Sequence, residues 1–217
     1  MSTNAEHGAA PDAGNAEGRN TTIENHSHST AGERLPVLLD LYDRGAVLHE
    51  LHRTGPDGTC HCPKGRRCTG SGKHPRRTGW EQGPGLSREQ LIRLEAAGAS
   101  FGIRTGDLRG RDEALFVVDI DGPTARNLWD TLVQEHGDPG ETFTVSTPRE
   151  GGLHLYFLAP AGTKIKTGAD VLGKGIDLRG HGGQVVAPGT VIRNYRGTSQ
   201  DGVYSVVSAA PFAEGDH

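Results

Sequence analysis

At 217 residues the chain is long enough to bury a core of its own, as one domain or slightly more. Only 33% of it is apolar and 5% aromatic, while 33 Gly and 12 Pro predict many turns between short strands and argue against a helical bundle or coiled coil. The formal charge of −4 arises entirely within residues 1–33, where Glu6, Asp12, Glu17, Glu24 and Glu33 face a single Arg19; elsewhere acids and bases cancel, so overall charge neither requires nor excludes an anionic partner. No stretch reaches the roughly 18 apolar residues of a membrane span. The first ten residues also lack the basic flank and apolar run of a secretion signal. The expectation is a soluble, cytoplasmic protein with no membrane partner.

Residues 1–33 hold almost no large apolar side chain and are expected to form a disordered tail. A folded domain is expected over 34–208, with a short C-terminal tail over 209–217. Between 35 and 51, Val37, Leu38, Leu41, Val47, Leu48 and Leu51 recur at mostly helical spacing broken near Gly45, which predicts two short helical pieces. A Gly, Pro and Cys-rich loop then runs to Trp80. Ser87 with Gln90 reads as a capping box opening a helix that carries Leu91, Leu94 and Ala97 and stops near Gly98. Strands are predicted at 101–105 and 115–119. Pro123 suits a first helical position, and Ala125, Leu128, Trp129, Leu132, Val133 and His136 form a stripe ending at Gly137. Further strands are predicted at 142–146, 153–158, 176–178, 184–187 and 203–207. The class is therefore α+β, helices packed on an open sheet.

The three cysteines, Cys60, Cys62 and Cys68, cannot all pair with one another and lie within nine residues, which favours thiolates holding a metal over a disulfide framework. With His74 they supply the donors of a tetrahedral zinc site, a zinc knuckle over 58–80, with His61 as a competing ligand and three incidental thiols as the plain alternative. Lys64, Arg66, Arg67, Lys73, Arg76 and Arg77 fall in the same segment with no acid, a positive surface suited to a DNA backbone or simply a solvated loop. Trp80 either stacks on a base or anchors the loop.

The segment FVVDIDG ends an apolar run in Asp119 and Asp121, whose spacing on a strand aims both carboxylates to one face. Neighbouring carboxylates repel, and a hard divalent cation, Mg²⁺ or Mn²⁺, relieves them. The plain alternative is an Asp-Gly turn. In TPREGG followed by LHLYFL, His154 shares a face with Tyr156, opposite Leu153, Leu155 and Phe157, so its ring can leave the core if Phe157 stays in it. Gly151 and Gly152 admit close approach of a ligand to backbone, and Arg149 is a phosphate-seeking neighbour. In GIDLRGHGGQVVAPGT, Asp177 and Arg179 share a strand face, suited to metal and triphosphate together or to a weak ion pair. Residues 168–174 match G-x-x-x-x-G-K, but Gly175 stands where a Ser or Thr would bind Mg²⁺, so no P-loop is expected.

In this order the three segments resemble the archaeo-eukaryotic primase superfamily, most closely the bifunctional primase-polymerase (Prim-Pol) domain of plasmid, phage and prophage replication proteins. The resemblance spans roughly residues 35–207. It implies an RRM-like, largely antiparallel sheet flanked by helices, with the knuckle as an insertion. It also implies that Asp119, Asp121 and Asp177 are catalytic metal ligands and that His154 contacts the nucleotide's phosphates. GIRTG, over 102–106, resembles the strand and turn before the first motif, and Arg104 there joins Arg149, Gly151, Gly152 and Arg179 as nucleotide-binding candidates. Gly152 departs from the family, which often has Ser at this place; a backbone amide would have to supply the missing contact.

What the resemblance implies is a DNA polymerase with candidate primase activity, a nucleotidyltransferase using two divalent ions, acting on DNA template, primer and nucleoside triphosphates in replication of a mobile element. A separately encoded helicase is a candidate partner. The alternatives are a catalytically weak or inactive zinc-containing DNA-binding replication accessory, or a two-metal nuclease or phosphatase.

Overall fold

The computed structural model describes residues 31–193 and 201–215, together with Met1. The tail expected over 1–33 therefore lies outside the described residues from 2 to 30, and a helix already begins at residue 31. In chain order the elements are helix α1 (Ala31–Asp43), strand β1 (Val47–Leu51), helix α2 (Arg88–Ala96), and strands β2 (Ser100–Arg104), β3 (Gly106–Asp107) and β4 (Ala114–Ile120). Helix α3 (Pro123–His136) follows, then β5 (Thr144–Ser146), β6 (Leu153–Ala159), β7 (Ile176–Arg179), β8 (Gln184–Val186), β9 (Val191–Ile192), β10 (Gly202–Val203), β11 (Ser205–Ser208) and β12 (Ala213–Glu214).

The chain is mixed α/β with antiparallel sheets and, among the described residues, three helices. A three-stranded sheet has the order β1-β2-β8. A seven-stranded sheet runs β11-β5-β6-β4-β3, with β7 also on β4 and β12 added in parallel to β6. Residues 213–214, within the segment expected as a tail, thus pair with the sheet.

The predicted helix starts follow from local chemistry. Ser87 Oγ accepts from the Gln90 N–H while the Gln90 side chain accepts from the Ser87 N–H, the reciprocal cap that opens α2. Pro123 opens α3 where its missing N–H costs nothing. One expectation is overturned: the second helical piece, over 47–51, is the strand β1. Four of its five residues are buried because both its faces are covered, so the polar alternation that marks a half-exposed strand is absent and the apolar spacing imitates a helix.

The seven-stranded sheet is covered on both faces. Val118, Ile120, Phe157 and Ile176 pack with Leu128, Trp129 and Leu132 of α3. The alternate residues Leu115, Val117, Val145 and Tyr156 join the larger cluster that includes α1, α2 and the three-stranded sheet. Side chains alternate along a strand, so position 119, in step with 115 and 117, faces this second side. No helix among the described residues is long and apolar enough to cross a membrane.

Candidate active site

Strand register brings the predicted acids together. Asp119 is opposite His154 on β6 and opposite Asp177 on β7, so the three side chains stand in one row across β6-β4-β7 and on one face. Asp121 lies just past the end of β4, its N–H donating to the Gly175 carbonyl at 2.8 Å, where the chain turns into α3. A cavity of about 480 Å³ opens at Asp119 and Asp121, with His154 and Asp177 outside its lining. Asp119, Asp121, Arg149 and Arg179 line it, along with Lys73, Trp80, Thr147, Gln184 and Tyr204.

Asp119 is only 9% exposed, and a buried carboxylate stays ionised only with charged partners. Arg179 donates from Nε at 3.1 Å and from Nη2 at 2.8 Å to Asp119 Oδ2, and from Nη2 at 2.8 Å to Asp177 Oδ2. Nε2 of His154 lies 3.4 Å from Asp119 Oδ1. Burial works against ionisation of Asp119, but His154 and Arg179 outweigh it and hold the carboxyl well below the ordinary range. Asp121 goes the other way: burial and the charges of Asp119 and Asp177 push it up, against the pull of Arg149, whose Nη1 is 3.3 Å from Asp121 Oδ1. An all-oxygen donor set with surplus negative charge at Asp121 fits a hard divalent cation.

His154 does not leave the core. Its ring is 5% exposed beside the fully buried Tyr156, under Tyr204 at 5.5 Å between ring centroids, and it does not line the cavity. Its Nε2 faces Asp119 and not the cavity, because the face predicted to be open is covered by the larger core cluster and Tyr204. Gly152 is also accounted for. Its N–H donates to the Arg149 carbonyl at 3.0 Å within the β5–β6 turn, so that amide is not the one that reaches a ligand. A Cβ at 152 would stand 2.2 Å from Thr147 Oγ1, so the Thr147 hydroxyl occupies the space that a side chain there would need. Gly151 adopts φ +69° and completes the turn. Arg104 points away from the cavity, donating to the carbonyls of Glu81 at 3.1 Å and Gly83 at 2.6 Å and so pinning the loop after Trp80.

Two supporting residues escaped the sequence reading. Asp170, at φ +54°, donates its N–H to Asp177 Oδ1 at 2.9 Å and accepts from the Gly175 N–H at 2.6 Å, holding the third acid in place. Its signal was the G-x-x-x-x-G-K segment, which is a loop running into β7 with no helix after it. Thr147 precedes a proline at the start of the TPREGG turn, whose arginine and glycines drew the sequence argument while the threonine carried no signal.

The cysteine segment folds as a compact cluster: the donor atoms of Cys60, Cys62, Cys68 and His74 all lie within 4.8 Å of one another. Nε2 of His74 is 3.4 Å from both Cys60 Sγ and Cys68 Sγ, and His61 is outside the group. Burial opposes ionisation of Cys60, but the N–H groups of Cys62 and Gly72 and the side chains of His74 and Cys62 draw its pKa down to about 6. Burial and the other two thiols push Cys68 up to about 11. Three sulfurs and one imidazole this close form a donor set that fits zinc.

The six bases of this segment separate. Arg66 pairs with Asp57 at 2.8 Å and Arg76 with Glu50 at 2.5 Å, Lys73 lines the cavity, and Lys64, Arg67 and Arg77 are exposed.

The site is thus a cleft between the three-stranded and seven-stranded sheets, lined by Asp119, Asp121 and the cations Lys73, Arg149 and Arg179, with Asp177 reaching it through Arg179. The family described as bifunctional DNA primase/polymerase, N-terminal (Prim-Pol), matches residues 38–215, and the chain belongs to that family. A search of curated proteins finds no match to it. Membership points to the nucleotidyltransferase activity of a DNA primase/polymerase, and so to DNA and nucleotides as substrates.

Proposed function

We propose that this chain is a DNA-dependent nucleotidyltransferase, a primase-type catalytic domain over 34–208 that extends a primer in the replication of a plasmid, phage or integrated element. The primer 3′-oxygen attacks the α-phosphorus of a nucleoside triphosphate, forming the new phosphodiester and releasing pyrophosphate. The observation that carries this is the row His154–Asp119–Asp177 with Asp121 beside it at the cavity. Asp119, Asp121 and Asp177 would hold two Mg²⁺ or Mn²⁺ ions, which when bound neutralise the triphosphate and lower the pKa of the attacking hydroxyl. His154 acts as a positioning residue that fixes the Asp119 carboxylate. Arg179 and Arg149 neutralise carboxylates in the free protein and offer the same N–H groups to phosphate oxygens when a nucleotide enters. Zinc at the cysteine cluster is structural in this reading, and the exposed bases of the knuckle meet the DNA backbone.

A second reading has one observation in its favour: Arg179 already neutralises two of the three acids, as it would in a DNA-binding accessory without catalysis. Extension of a labelled primer on a DNA template with Mg²⁺ or Mn²⁺ decides between them. The wild type is expected to extend, and Asp121→Asn, a change of nearly equal size at an exposed position, to lose about a thousandfold or more. A wild type that binds DNA and extends nothing would leave the accessory reading.

A further inference from the structure

Lys73 sits one residue from His74 of the cysteine cluster, yet its side chain lines the catalytic cavity rather than the outer surface of the knuckle. Its Nζ rests 6.0 Å from the ring centroid of Tyr204, and it shares the cavity with Asp121, Arg149 and Arg179. The main chain here is fixed on two sides. Nε2 of Gln184, from the first position of β8, donates to the Lys73 carbonyl at 2.8 Å, and Gln184 Oε1 is itself 2.6 Å from His49 Nε2 on β1. Gly102 makes that second link feasible: a Cβ there would lie 2.6 Å from His49 Nε2 and 2.8 Å from Gln184 Oε1. On the other side, His74 is held by the cluster donors.

We infer that Lys73 is a ligand of the incoming nucleotide's triphosphate, and that the Cys60–Cys62–Cys68–His74 site sets nucleotide affinity by holding it in the cavity. This rests on the nucleotidyltransferase reading of the cleft. An ammonium on a flexible stem is a point charge that suits phosphate oxygens from more than one direction. Apart from the Gln184 contact and the His52 N–H, which donates to the His74 carbonyl at 3.0 Å, the knuckle buries little apolar surface beyond Cys60 and Cys62, so the placement of residue 73 depends also on what ties the four donors together. Zinc there would therefore act on the first step of the reaction, nucleotide binding, although no ligand of the cluster touches the cavity.

The test is calorimetric titration of dATP with Mg²⁺, without DNA, into the zinc-loaded full chain, into chain stripped of zinc by chelation and dialysis, and into Lys73→Ala and Lys73→Arg proteins in both states. Loss of a charge-assisted phosphate contact is expected to weaken dATP about tenfold or more in Lys73→Ala, with Lys73→Arg keeping most of the affinity. Stripping zinc is expected to cost the wild type the same factor and to cost Lys73→Ala nothing further, the non-additivity that marks one shared interaction. Unchanged zinc content and melting temperature in Lys73→Ala establish that it is folded. Equal dATP affinity in zinc-loaded wild type and Lys73→Ala would overturn the inference, as would a further loss on stripping Lys73→Ala. An unchanged dATP affinity with weakened primer-template binding would make Lys73 a DNA contact and overturn it too. A wild type that binds no dATP at all would instead overturn the nucleotidyltransferase reading itself.

Discussion

Burial disfavours the charged form of both Asp119 and His49, and their partners decide whether it prevails. Asp119 keeps its charge under the core because His154 and Arg179 share it, so removing Arg179 would leave the buried carboxylate to His154 alone. His49, 7% exposed on β1 between Gln184 and Trp80, has no carboxylate in direct contact among the described residues. Burial lowers its pKa to about 4, helped by Arg104 and opposed by the Gln184 hydrogen bond and by Glu81. The unfolded chain takes up this proton near the ordinary 6.5 and the native state only near 4, so the native fold is favoured in full above pH 6.5 and loses stability as pH falls from 6.5 to 4. Between pH 7 and 4.5 the loss from this one group is about 2 kcal/mol. Urea midpoints of the wild type and His49→Gln at the two pH values check it: the drop on acidification is expected to be smaller in the variant by most of that amount, and equal drops would show that His49 protonates without cost.

The β5–β6 turn and the cysteine loop show which parts of this fold can be read from sequence and which cannot. The capping box at Ser87, the α3 stripe and the strands through Asp119 and Asp177 are local patterns of period and cap, and each is found where those patterns place it. Register then did the rest for Asp119, His154 and Asp177, since a strand fixes which residues stand opposite. What sequence could not show depends on contacts across the fold: that 47–51 is covered on both faces, that Tyr204 roofs His154, that Lys73 turns inward, and that Asp57 and Glu50 reach Arg66 and Arg76. Strands such as β3, β9 and β12, two residues long, carry no period at all. Gly152 gives this a direct test. Gly152→Ser would set a Cβ 2.2 Å from Thr147 Oγ1 and 3.1 Å from the Arg149 carbonyl, an overpacking worth about 1–3 kcal/mol. Adding Thr147→Ala removes the nearer atom, so the double variant is expected to melt higher than Gly152→Ser alone; a lower melting temperature would mean that the two positions do not share that space. The cysteine loop has its own check, because Lys64, Arg66 and Arg67 are exposed in it. Zinc removal is expected to open these bonds to trypsin while α2 and the sheets stay protected, and an unchanged digestion pattern would show that the loop holds its shape unaided.

Cations are laid out in two places, in the cleft and on the outside of the knuckle. Inside, Lys73, Arg149 and Arg179 surround the acids of the cleft, a mixture suited to a small, highly charged ligand arriving with metal ions. Outside, the knuckle exposes bases that would suit a longer polyanion, but fewer than its composition suggests. Asp57 offsets Arg66 and Glu50 offsets Arg76, which leaves Lys64, Arg67 and Arg77 as the exposed bases with no ion pair among the described residues. Each phosphate contact on DNA releases counterions, so the slope of log affinity against log salt counts such contacts, at about 0.7 per contact on single strands and 0.9 on duplex. The triple variant Lys64→Ala, Arg67→Ala, Arg77→Ala is therefore expected to lower that slope by about 2 to 3. Arg66→Ala with Arg76→Ala is expected to change it by less, because each of those guanidiniums gives up a carboxylate before it gains a phosphate. Filter binding of a primer-template across salt concentrations measures both slopes, and the reverse order would place the DNA on the Asp57 and Glu50 side of the knuckle instead.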